Sequence, residues 1–297
     1  MACSVDIPLV RAVVVSFNPQ SSLIENIQAL ASQVDGIFLV DNASDNAESK
    51  NILTKIENAG ICHLIYNKEN YGIAHALNRG VMQAAADGVA WVLTFDQDSL
   101  APPNFVESLF RTLEGCSFRN EVALVAPRYR DEKTGLLTNF GSKGRGDFAE
   151  VDAIITSGNL LRVKAFESVV GYDESYFIDC VDHDFCLKLR KKGWRVLISS
   201  STELLHSIGV TEVHKFLGKE FKISTHSPLR RYYNARNRIL TYRRHALSFP
   251  RWAIHDVFCW LREMGAITLL EDEKLKKLKS VVRGVLHALL GRSGKAQ

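Results

Sequence analysis

The first 95 residues alternate short apolar runs with segments of helical periodicity. Such a β-α-β-α-β-α-β order predicts a mostly parallel sheet with helices on both faces, joined by right-handed crossovers. The predicted fold class is therefore α/β, with a Rossmann-like half of the kind that binds nucleotides. The apolar runs predict strands at Val10–Val15, Gly36–Val40, Ile61–Ile65 and Val89–Phe95, and the periodic segments predict helices at Ser22–Gln33, Ala47–Ala59 and Ile73–Ala86.

The remainder of the chain continues this pattern and then changes character. From about Val210 the sequence becomes basic and its periodicity predicts helix to the end. We therefore expect a nucleotide-binding and catalytic domain over residues 1–209 and a helical extension over residues 210–297. Before that boundary the pattern predicts helices at Asn104–Leu113 and Asp182–Lys192, strands at Val122–Ala126 and Trp194–Ile198, and a loop or hairpin over residues 128–150.

The charge is distributed unevenly along the chain. Residues 1–205 contain 19 Lys/Arg and 26 Asp/Glu, whereas residues 206–297 contain 18 Lys/Arg and 7 Asp/Glu. A basic tail on an acidic body suggests contact with an anionic partner, and nucleic acid, phospholipid and a diphosphate-bearing substrate all qualify. Nucleic acid is disfavoured because no recognition motif accompanies the charge.

The cysteines and the apolar segments indicate where the protein works. The six cysteines are scattered without a C-x-x-C pair, which suits a reducing compartment better than a zinc site or a disulfide framework. The first residues carry no signal-peptide pattern, and no apolar run reaches the roughly 18 residues that a membrane span requires. These features predict a cytoplasmic protein that does not cross a membrane.

Two carboxylates, those of Asp96 and Asp98, directly follow the fourth predicted strand. Strand alternation places both side chains on one side of the strand end, where open α/β sheets bind ligands. Two like charges this close require a cation, and Mg²⁺ is typically held by one or two carboxylates together with substrate phosphates. The alternative is a solvated acidic turn.

The other strand ends of the first half also carry polar residues. Four polar strand ends along one sheet edge predict a crevice suited to a nucleotide, although loops are often polar for no such reason. Asp41 is expected to accept from a pyrimidine N3–H, and Asn70 with Gly72 would let a ribose or base lie close to the backbone. The candidate nucleotide-binding residues here are Ser16, Asn18, Asp41, Asn42, Asn70, Gly72, Asp96 and Gln97.

A second acidic cluster begins the helix predicted at Asp182. One carboxylate facing the crevice would serve as a general base, with Asp182 the first choice and Asp184 the second. Alternatively, both carboxylates have a structural role at the helix N-terminus, where the helix dipole stabilises negative charge. His206, which follows the last predicted strand, would complete a metal site begun by Asp98, although lone histidines are more often structural.

Taken together, these segments resemble the family 2 glycosyltransferases of the GT-A fold, and within them the bacterial rhamnosyltransferase branch. The resemblance covers roughly residues 10–240. It rests on eight motifs in order, namely Val14-Val15-Ser16-Phe17-Asn18, Val40-Asp41-Asn42-Ala43-Ser44, Asn67-Lys68-Glu69-Asn70-Tyr71-Gly72-Ile73-Ala74, Phe95-Asp96-Gln97-Asp98, Ser157-Gly158-Asn159, Phe177-Ile178-Asp179-Cys180-Val181-Asp182-His183-Asp184, Leu205-His206-Ser207-Ile208-Gly209 and Tyr232-Tyr233-Asn234-Ala235-Arg236-Asn237.

The resemblance implies sugar transfer with inversion at the anomeric carbon. Asp182 is then the base that deprotonates the acceptor hydroxyl. A divalent ion, Mg²⁺ or Mn²⁺, is held by Asp98 with Asp96 and His206, and it neutralises the leaving diphosphate. Arg236 is expected to add a second clamp, because a guanidinium suits phosphate oxygens.

The substrates follow from the same resemblance. The donor is expected to be dTDP-L-rhamnose, and the acceptor a bacterial cell-surface polysaccharide or a lipid-linked oligosaccharide. Two alternatives remain open: another donor such as a UDP-hexose, and a module that binds a nucleotide sugar without turnover. The module without turnover is an alternative because this chain has Val181 where the family often has Glu. For turnover, Asp179 or Asp184 would have to replace the missing acid at the acceptor site.

The basic tail acquires a specific interpretation from these acceptors. Lipid-linked diphosphates lie in the cytoplasmic leaflet, so the tail is expected to form a surface that meets anionic lipid at the inner face of the membrane. The alternatives are a solvated helical face and a homodimer interface. The residues involved are Arg230, Arg231, Arg236, Arg238, Arg243 and Arg244, with Phe249, Trp252, Phe258 and Trp260.

Overall fold

The computed structural model describes residues 7–131, 135, 137–138, 146–206, 210–216 and 219–296, with the side chains of residues 138, 206, 210–216 and 219–224 left aside. The strands are β1 (Val10–Ser16), β2 (Ile37–Asp41), β3 (His63–Tyr66), β4 (Trp91–Asp96), β5 (Val122–Asp131), β6 (Leu137–Thr138), β7 (Phe148–Glu150), β8 (Asn159–Arg162), β9 (Arg195–His206), β10 (Val210–Phe216) and β11 (Lys219–Thr225). The helices are α1 (Ser22–Ala31), α2 (Ala47–Ala59), α3 (Ile73–Ala86), α4 (Phe105–Glu114), α5 (Val163–Ser168), α6 (Val181–Lys191), α7 (Pro228–His245), α8 (Pro250–Leu269) and α9 (Lys274–Leu289).

A single mixed sheet forms the centre of the molecule. Its strands follow the order β3-β2-β1-β4-β8-β5-β9-β7, and β6 pairs with β5 at the side. The first four strands are parallel, β8 runs antiparallel between β4 and β5, and β5 and β9 are parallel to each other. The predicted α/β class is confirmed. The order β3-β2-β1-β4 brings the carboxyl ends of four parallel strands to one edge of the sheet, where a nucleotide crevice was predicted.

The central strands are apolar on both faces because helices cover both. Val13, Val14 and Leu93 are fully or almost fully buried, as expected for parallel strands between two helical layers. The helix α3 packs against β1, β2 and β4, and α4 packs against β5 and β9. This packing fixes the strand ends, and with them the loops that carry polar residues.

Residues 210–225 correct the prediction that helix begins at about Val210. β10 and β11 pair antiparallel, with Val210 opposite Thr225 and Phe216 opposite Lys219. Val210, Thr211 and Val213 are β-branched, and this local preference for a strand explains the difference. The helical extension itself is confirmed, and it begins at Pro228.

The arginines of α7 hold the helical extension together, so the prediction that they form one exposed surface is wrong for several of them. Arg231 is 2% exposed and pairs with Glu263 at 2.8 Å and with the buried Glu271. Arg238 pairs with Asp256 and Glu263, both at 2.9 Å. Of the aromatic residues that were expected to accompany these arginines, Trp252 is buried and packs in a cluster with Leu187 of α6.

The described part of the chain contains no helix that is both long and apolar enough to span a bilayer.

Candidate active site

A cavity of about 530 Å³ lies at the carboxyl ends of the parallel strands. One wall comes from the ends of β1 and β4 and from the loops that follow β2 and β3. Further lining comes from Ile155 and Thr156, from the segment that leads into α6, and from the residues at and just before the start of α7. The complete cavity is lined by Val15, Phe17, Asn42, Asn70, Gly72, Ile73, Asp96, Gln97, Asp98, Ile155, Thr156, Phe177, Ile178, Asp179, Cys180, Val181, Asp182, His226 and Arg230.

The turn Asp96-Gln97-Asp98 is fixed by hydrogen bonds to neighbouring elements. The backbone N–H of Asp96 donates to the hydroxyl of the buried Ser157 at 3.1 Å. The side-chain oxygen of Gln97 accepts from the backbone N–H of Phe17 at 2.8 Å. Asp96 is half-buried and Asp98 is exposed, and both line the cavity. The structure therefore brings the two carboxylates to one cavity, as strand alternation predicts.

Asn42 shapes the loop that precedes α3. Its amide nitrogen donates to Asn70 Oδ1 at 3.0 Å and to the carbonyl oxygen of Gly72 at 3.1 Å. Its oxygen accepts from the side chain of Asn67 at 3.0 Å and from the backbone N–H of Tyr71 at 3.2 Å. All four hydrogen bonds join Asn42 to residues 67–72, so they hold this loop in one conformation. Asn42 and Asn70 also line the cavity.

Ser16, Asn18 and Asp41 are not among the residues that line the cavity. The buried carboxylate of Asp41 accepts from the backbone N–H of Ser44 at 2.9 Å, from its hydroxyl at 2.5 Å and from the Ser16 hydroxyl at 3.3 Å. Asn18 exchanges hydrogen bonds with Asp45 at 2.9 and 3.0 Å. These contacts join the loops that follow β1 and β2.

Asp182 lies in the first turn of α6 and lines the cavity. Its Oδ1 accepts from the backbone N–H of His183 at 2.8 Å. The residues that lead into this helix, Asp179 and Cys180, have positive φ angles of 64° and 61°. Residues other than glycine rarely adopt this conformation, and it is often found near functional sites. The backbone thus turns sharply where the helix presents Asp182.

Asp184 is fully buried and is not among the residues that line the cavity. Its Oδ1 lies 2.9 Å from His245 Nε2 and 3.3 Å from Arg244 Nη1. Burial alone would raise the pKa of Asp184, but the hydrogen bond with His245 and the charges of Lys188 and Arg244 lower it below its ordinary value. This carboxylate joins α6 to α7, and the base proposed below is accordingly Asp182.

Asn237 holds the segment that leads into α6, a role that the sequence motif did not reveal. Its fully buried amide nitrogen lies 2.6 Å from the carbonyl oxygen of Ile178, 3.0 Å from that of Asp179 and 3.4 Å from that of Tyr176. Its own oxygen accepts from Arg236 Nε at 2.9 Å. This side chain on α7 therefore holds Ile178 and Asp179, which line the cavity.

Replacing Asn237 with Ala is expected to lower the free energy of unfolding by about 1–3 kcal/mol, because buried carbonyls and the Arg236 Nε–H lose their partner. Asn234→Ala is the matched control, since Asn234 lies on the same helix and makes one partly buried hydrogen bond, with Arg238. Its loss should cost about 1 kcal/mol or less. Urea unfolding measures both values. Equal losses in the two variants would contradict the role of Asn237.

Arg230 and His226 line the cavity, and sequence reasoning assigned neither to it. Arg230 Nε donates to Asp179 Oδ1 at 3.2 Å. Burial raises the pKa of Asp179, and the charge of Arg230 opposes this shift. Burial, together with the charges of Arg230 and Arg231, lowers the pKa of His226 to about 4. Arg230 belongs to the arginines that were expected to form the basic surface of the tail. Its position at the cavity depends on which side of α7 faces the cavity.

Arg236 is 1% exposed and lies away from the cavity lining. Its guanidinium donates to Asn237 Oδ1 at 2.9 Å, to the carbonyl oxygen of Gly294 at 2.6 Å and to that of Ser175 at 3.5 Å. A guanidinium enclosed by protein acceptors is not available to a ligand phosphate. The arginine that faces the cavity is Arg230.

The donor chemistry of the cavity suits a hard divalent cation. Asp96 and Asp98 supply carboxylate oxygens, and substrate phosphates complete such sites for Mg²⁺. The described residues contain no group of three or more His, Cys, Asp or Glu side chains that would hold a metal without a substrate. His206 is the last residue of β9, and its side chain is outside the described part of the chain. Its predicted role as a ligand stays a prediction.

Comparison with known proteins identifies the family. The sequence model described as "Glycosyl transferase family 2" matches residues 12–166. The dTDP-rhamnosyl transferase RfbF of Shigella flexneri is 30% identical over 303 residues, which cover 96% of this chain and 97% of that protein.

Two solved structures share the fold. S. aureus TarS 1-349 in complex with UDP superposes with a TM-score of 0.62 at 13% identity, over 95% of this chain and 81% of that chain. The mannosyltransferase PcManGT from Pyrobaculum calidifontis, in complex with GDP-Man and Mn²⁺, gives a TM-score of 0.57 at 13% identity, over 96% and 88% of the two chains. At this identity the likeness concerns the fold, which is GT-A. The chain belongs to glycosyl transferase family 2, and it is a glycosyltransferase of rhamnosyltransferase-like sequence.

Proposed function

We propose that this enzyme transfers L-rhamnose from dTDP-L-rhamnose, with inversion, onto a bacterial cell-surface polysaccharide or a lipid-linked oligosaccharide. The observation that carries the proposal is a single cavity lined by Asp96, Asp98 and Asp182. The choice of donor is supported by the likeness to RfbF, a dTDP-rhamnosyl transferase, over nearly the whole of both chains.

The donor nucleotide occupies the part of the cavity formed by the strand ends. Gly72 has a φ of 92°, and a Cβ at this position would collide with the carbonyl oxygen of Phe177. The glycine therefore lets the segment that leads into α6 pass close to this loop, where the backbone N–H of Ile73 donates to the carbonyl oxygen of Phe177 at 2.8 Å. Asn42 and Asn70 keep this loop in place. Ser16, Asn18 and Asp41 join the loops that follow β1 and β2, and so hold the loop that carries Asn42.

The diphosphate lies towards Asp96 and Asp98, which would hold Mg²⁺ or Mn²⁺ together with phosphate oxygens. When bound, the cation neutralises the charge that develops on the leaving diphosphate. Arg230, and not the predicted Arg236, would add the second clamp on the diphosphate, because Arg230 lines the cavity. Its pairing with Asp179 holds it there until an anionic ligand arrives.

Asp182 acts as the general base in a single displacement. The acceptor hydroxyl oxygen attacks the anomeric carbon, and its proton passes to the Asp182 carboxylate. The bond from the anomeric carbon to the diphosphate oxygen breaks, and its electron pair leaves with the nucleoside diphosphate. Attack from the face opposite this leaving group inverts the anomeric configuration. Val181, which replaces the glutamate expected from the resemblance, is buried and leaves the proton transfer to Asp182.

A lipid-linked acceptor would place the enzyme at the inner face of the cell membrane, as a peripheral protein of the cytoplasm.

The donor proposal is tested by measuring the affinity of the full chain for dTDP-L-rhamnose, UDP-glucose and GDP-mannose by calorimetry in the presence of MgCl₂ or MnCl₂. We expect dTDP-L-rhamnose to bind at least about tenfold more tightly than the other two, a difference of about 1.4 kcal/mol. Tighter binding of UDP-glucose would replace the proposed donor with a UDP-hexose. If none of the three nucleotide sugars binds, the assignment of the cavity is wrong.

A further inference from the structure

An apolar stripe on α8 faces away from the protein. Ile254, Phe258 and Leu261 recur at helical spacing, and all are largely exposed, with Phe258 at 64%. The opposite face of the same helix packs inward, where Trp252 and Asp256 are buried. The helix is therefore apolar on its inner and on its outer face, whereas an ordinary surface helix is apolar mainly on the side that faces the core.

The neighbouring helix α9 also carries an apolar stripe on its outer face. Leu275, Val282, Leu286 and Leu289 form its outer stripe, and Leu275 is 75% exposed. The inner face is packed so closely against α7 that a Cβ at Gly284 would collide with the backbone of Tyr232. The packing therefore fixes α9 with this apolar stripe on its outer face.

Basic side chains accompany both stripes. From Lys274 to Leu289 the helix α9 contains four Lys and one Arg and no acidic residue. Lys276, Lys279 and Arg283 are exposed on α9, and Arg251 and Arg262 are exposed on α8. An apolar stripe beside Lys and Arg is typical of helices that lie in the headgroup region of a membrane.

We infer that the outer faces of α8 and α9 bind the surface of an anionic lipid bilayer without crossing it. The apolar stripes would enter the headgroup boundary, and the basic residues would meet lipid phosphates. A second copy of the chain fits less well, because the centre of a protein interface is depleted in Lys and the basic faces of two copies would repel each other. Contiguous exposed apolar patches on a protein surface commonly mark interaction sites.

This surface differs from the one expected from the sequence. All six arginines proposed there lie on α7, and Arg231 and Arg238 pair with acidic residues inside the extension. Of the aromatic residues proposed there, Phe258 belongs to both surfaces. The inference deepens the proposed function, on whose membrane location it rests, by naming the surface that binds, and it uses none of the residues assigned to the cavity. It can therefore fail while sugar transfer stands, and the reverse also holds.

Sedimentation of the full chain with lipid vesicles tests the inference. Wild type should sediment with vesicles of phosphatidylcholine containing about 30% phosphatidylglycerol, and weakly with phosphatidylcholine alone. High salt should reduce the binding, since it screens attraction to headgroups. The double variant V282E/L286E should bind at least about tenfold less, because two charges enter the apolar stripe. Met82→Glu, at an exposed apolar position on α3, is the matched control and should bind like wild type.

Thermal unfolding and calorimetry with dTDP-L-rhamnose check that each variant is folded and that its cavity is intact. Binding of the double variant at the wild-type level, or absence of wild-type binding to the anionic vesicles, would overturn the inference. Light scattering provides the other decisive result. A wild-type dimer that V282E/L286E converts to a monomer would assign this face to a second copy of the chain.

Discussion

Asp182→Asn is expected to lower kcat for sugar transfer by about a hundredfold to ten-thousandfold, the range attributed to a general base. Asparagine has nearly the same shape and can still accept from the His183 backbone N–H, so the first turn of α6 should keep its geometry. It cannot take up the proton of the acceptor hydroxyl. The affinity for the nucleotide sugar should stay within about twofold, because the change affects the transition state rather than ground-state binding. Steady-state kinetics and calorimetry measure the two quantities.

Asp184→Asn is the control for this experiment, because it removes a carboxylate from the same helix turn outside the cavity lining. It should lower stability, since His245, Arg244 and Lys188 lose a buried anion, and the loss of one partner of a buried ion pair typically costs about 3–5 kcal/mol. The folded fraction should retain most of its turnover. If Asp182→Asn transfers sugar at the wild-type rate, Asp182 is not the base.

Asp98→Asn is expected to reduce kcat/KM by about a hundredfold, on the basis of about 3 kcal/mol of transition-state stabilisation from a bound cation. The loss should coincide with weaker binding of Mn²⁺ in the presence of a nucleoside diphosphate. Treatment of the wild-type enzyme with EDTA should have a comparable effect, and added Mg²⁺ or Mn²⁺ should restore the rate. Release of nucleoside diphosphate measures turnover, and calorimetry measures the cation.

Asp87→Asn is the matched control, because Asp87 follows α3 away from the cavity and pairs with Arg11 at the surface. It should change neither cation binding nor turnover. Undiminished transfer in EDTA would rule out the proposed role of a divalent cation, even if Asp98→Asn were inactive for another reason.

The sequence allowed the sheet and the position of the cavity to be predicted because these depend on local patterns. Uninterrupted apolar runs identified β1, β2 and β4, and the carboxyl ends of parallel strands must meet at one edge. Asp96, Asp98 and Asn42 therefore line one cavity, as their positions after the strands suggested. Asp182 reaches the same cavity from the other half of the domain.

The basic residues could not be assigned from the sequence, because their partners are distant along the chain. Arg231 and Arg238 pair with acidic residues that follow them by 18 to 40 positions, and such pairings depend on how α7, α8 and α9 pack. For the same reason Arg230 could not be distinguished from Arg236. Only the phase of α7 decides which guanidinium faces the cavity and which contacts Gly294.

The central claim is that this cavity transfers rhamnose, and the most direct test follows radiolabelled sugar from dTDP-L-rhamnose into lipid-linked oligosaccharides extracted from bacterial membranes. We predict that label enters the lipid fraction with the wild-type enzyme in the presence of Mg²⁺ or Mn²⁺, and does so far more slowly with Asp182→Asn. Equal labelling by both proteins would contradict the claim, as would labelling from UDP-glucose when dTDP-L-rhamnose gives none.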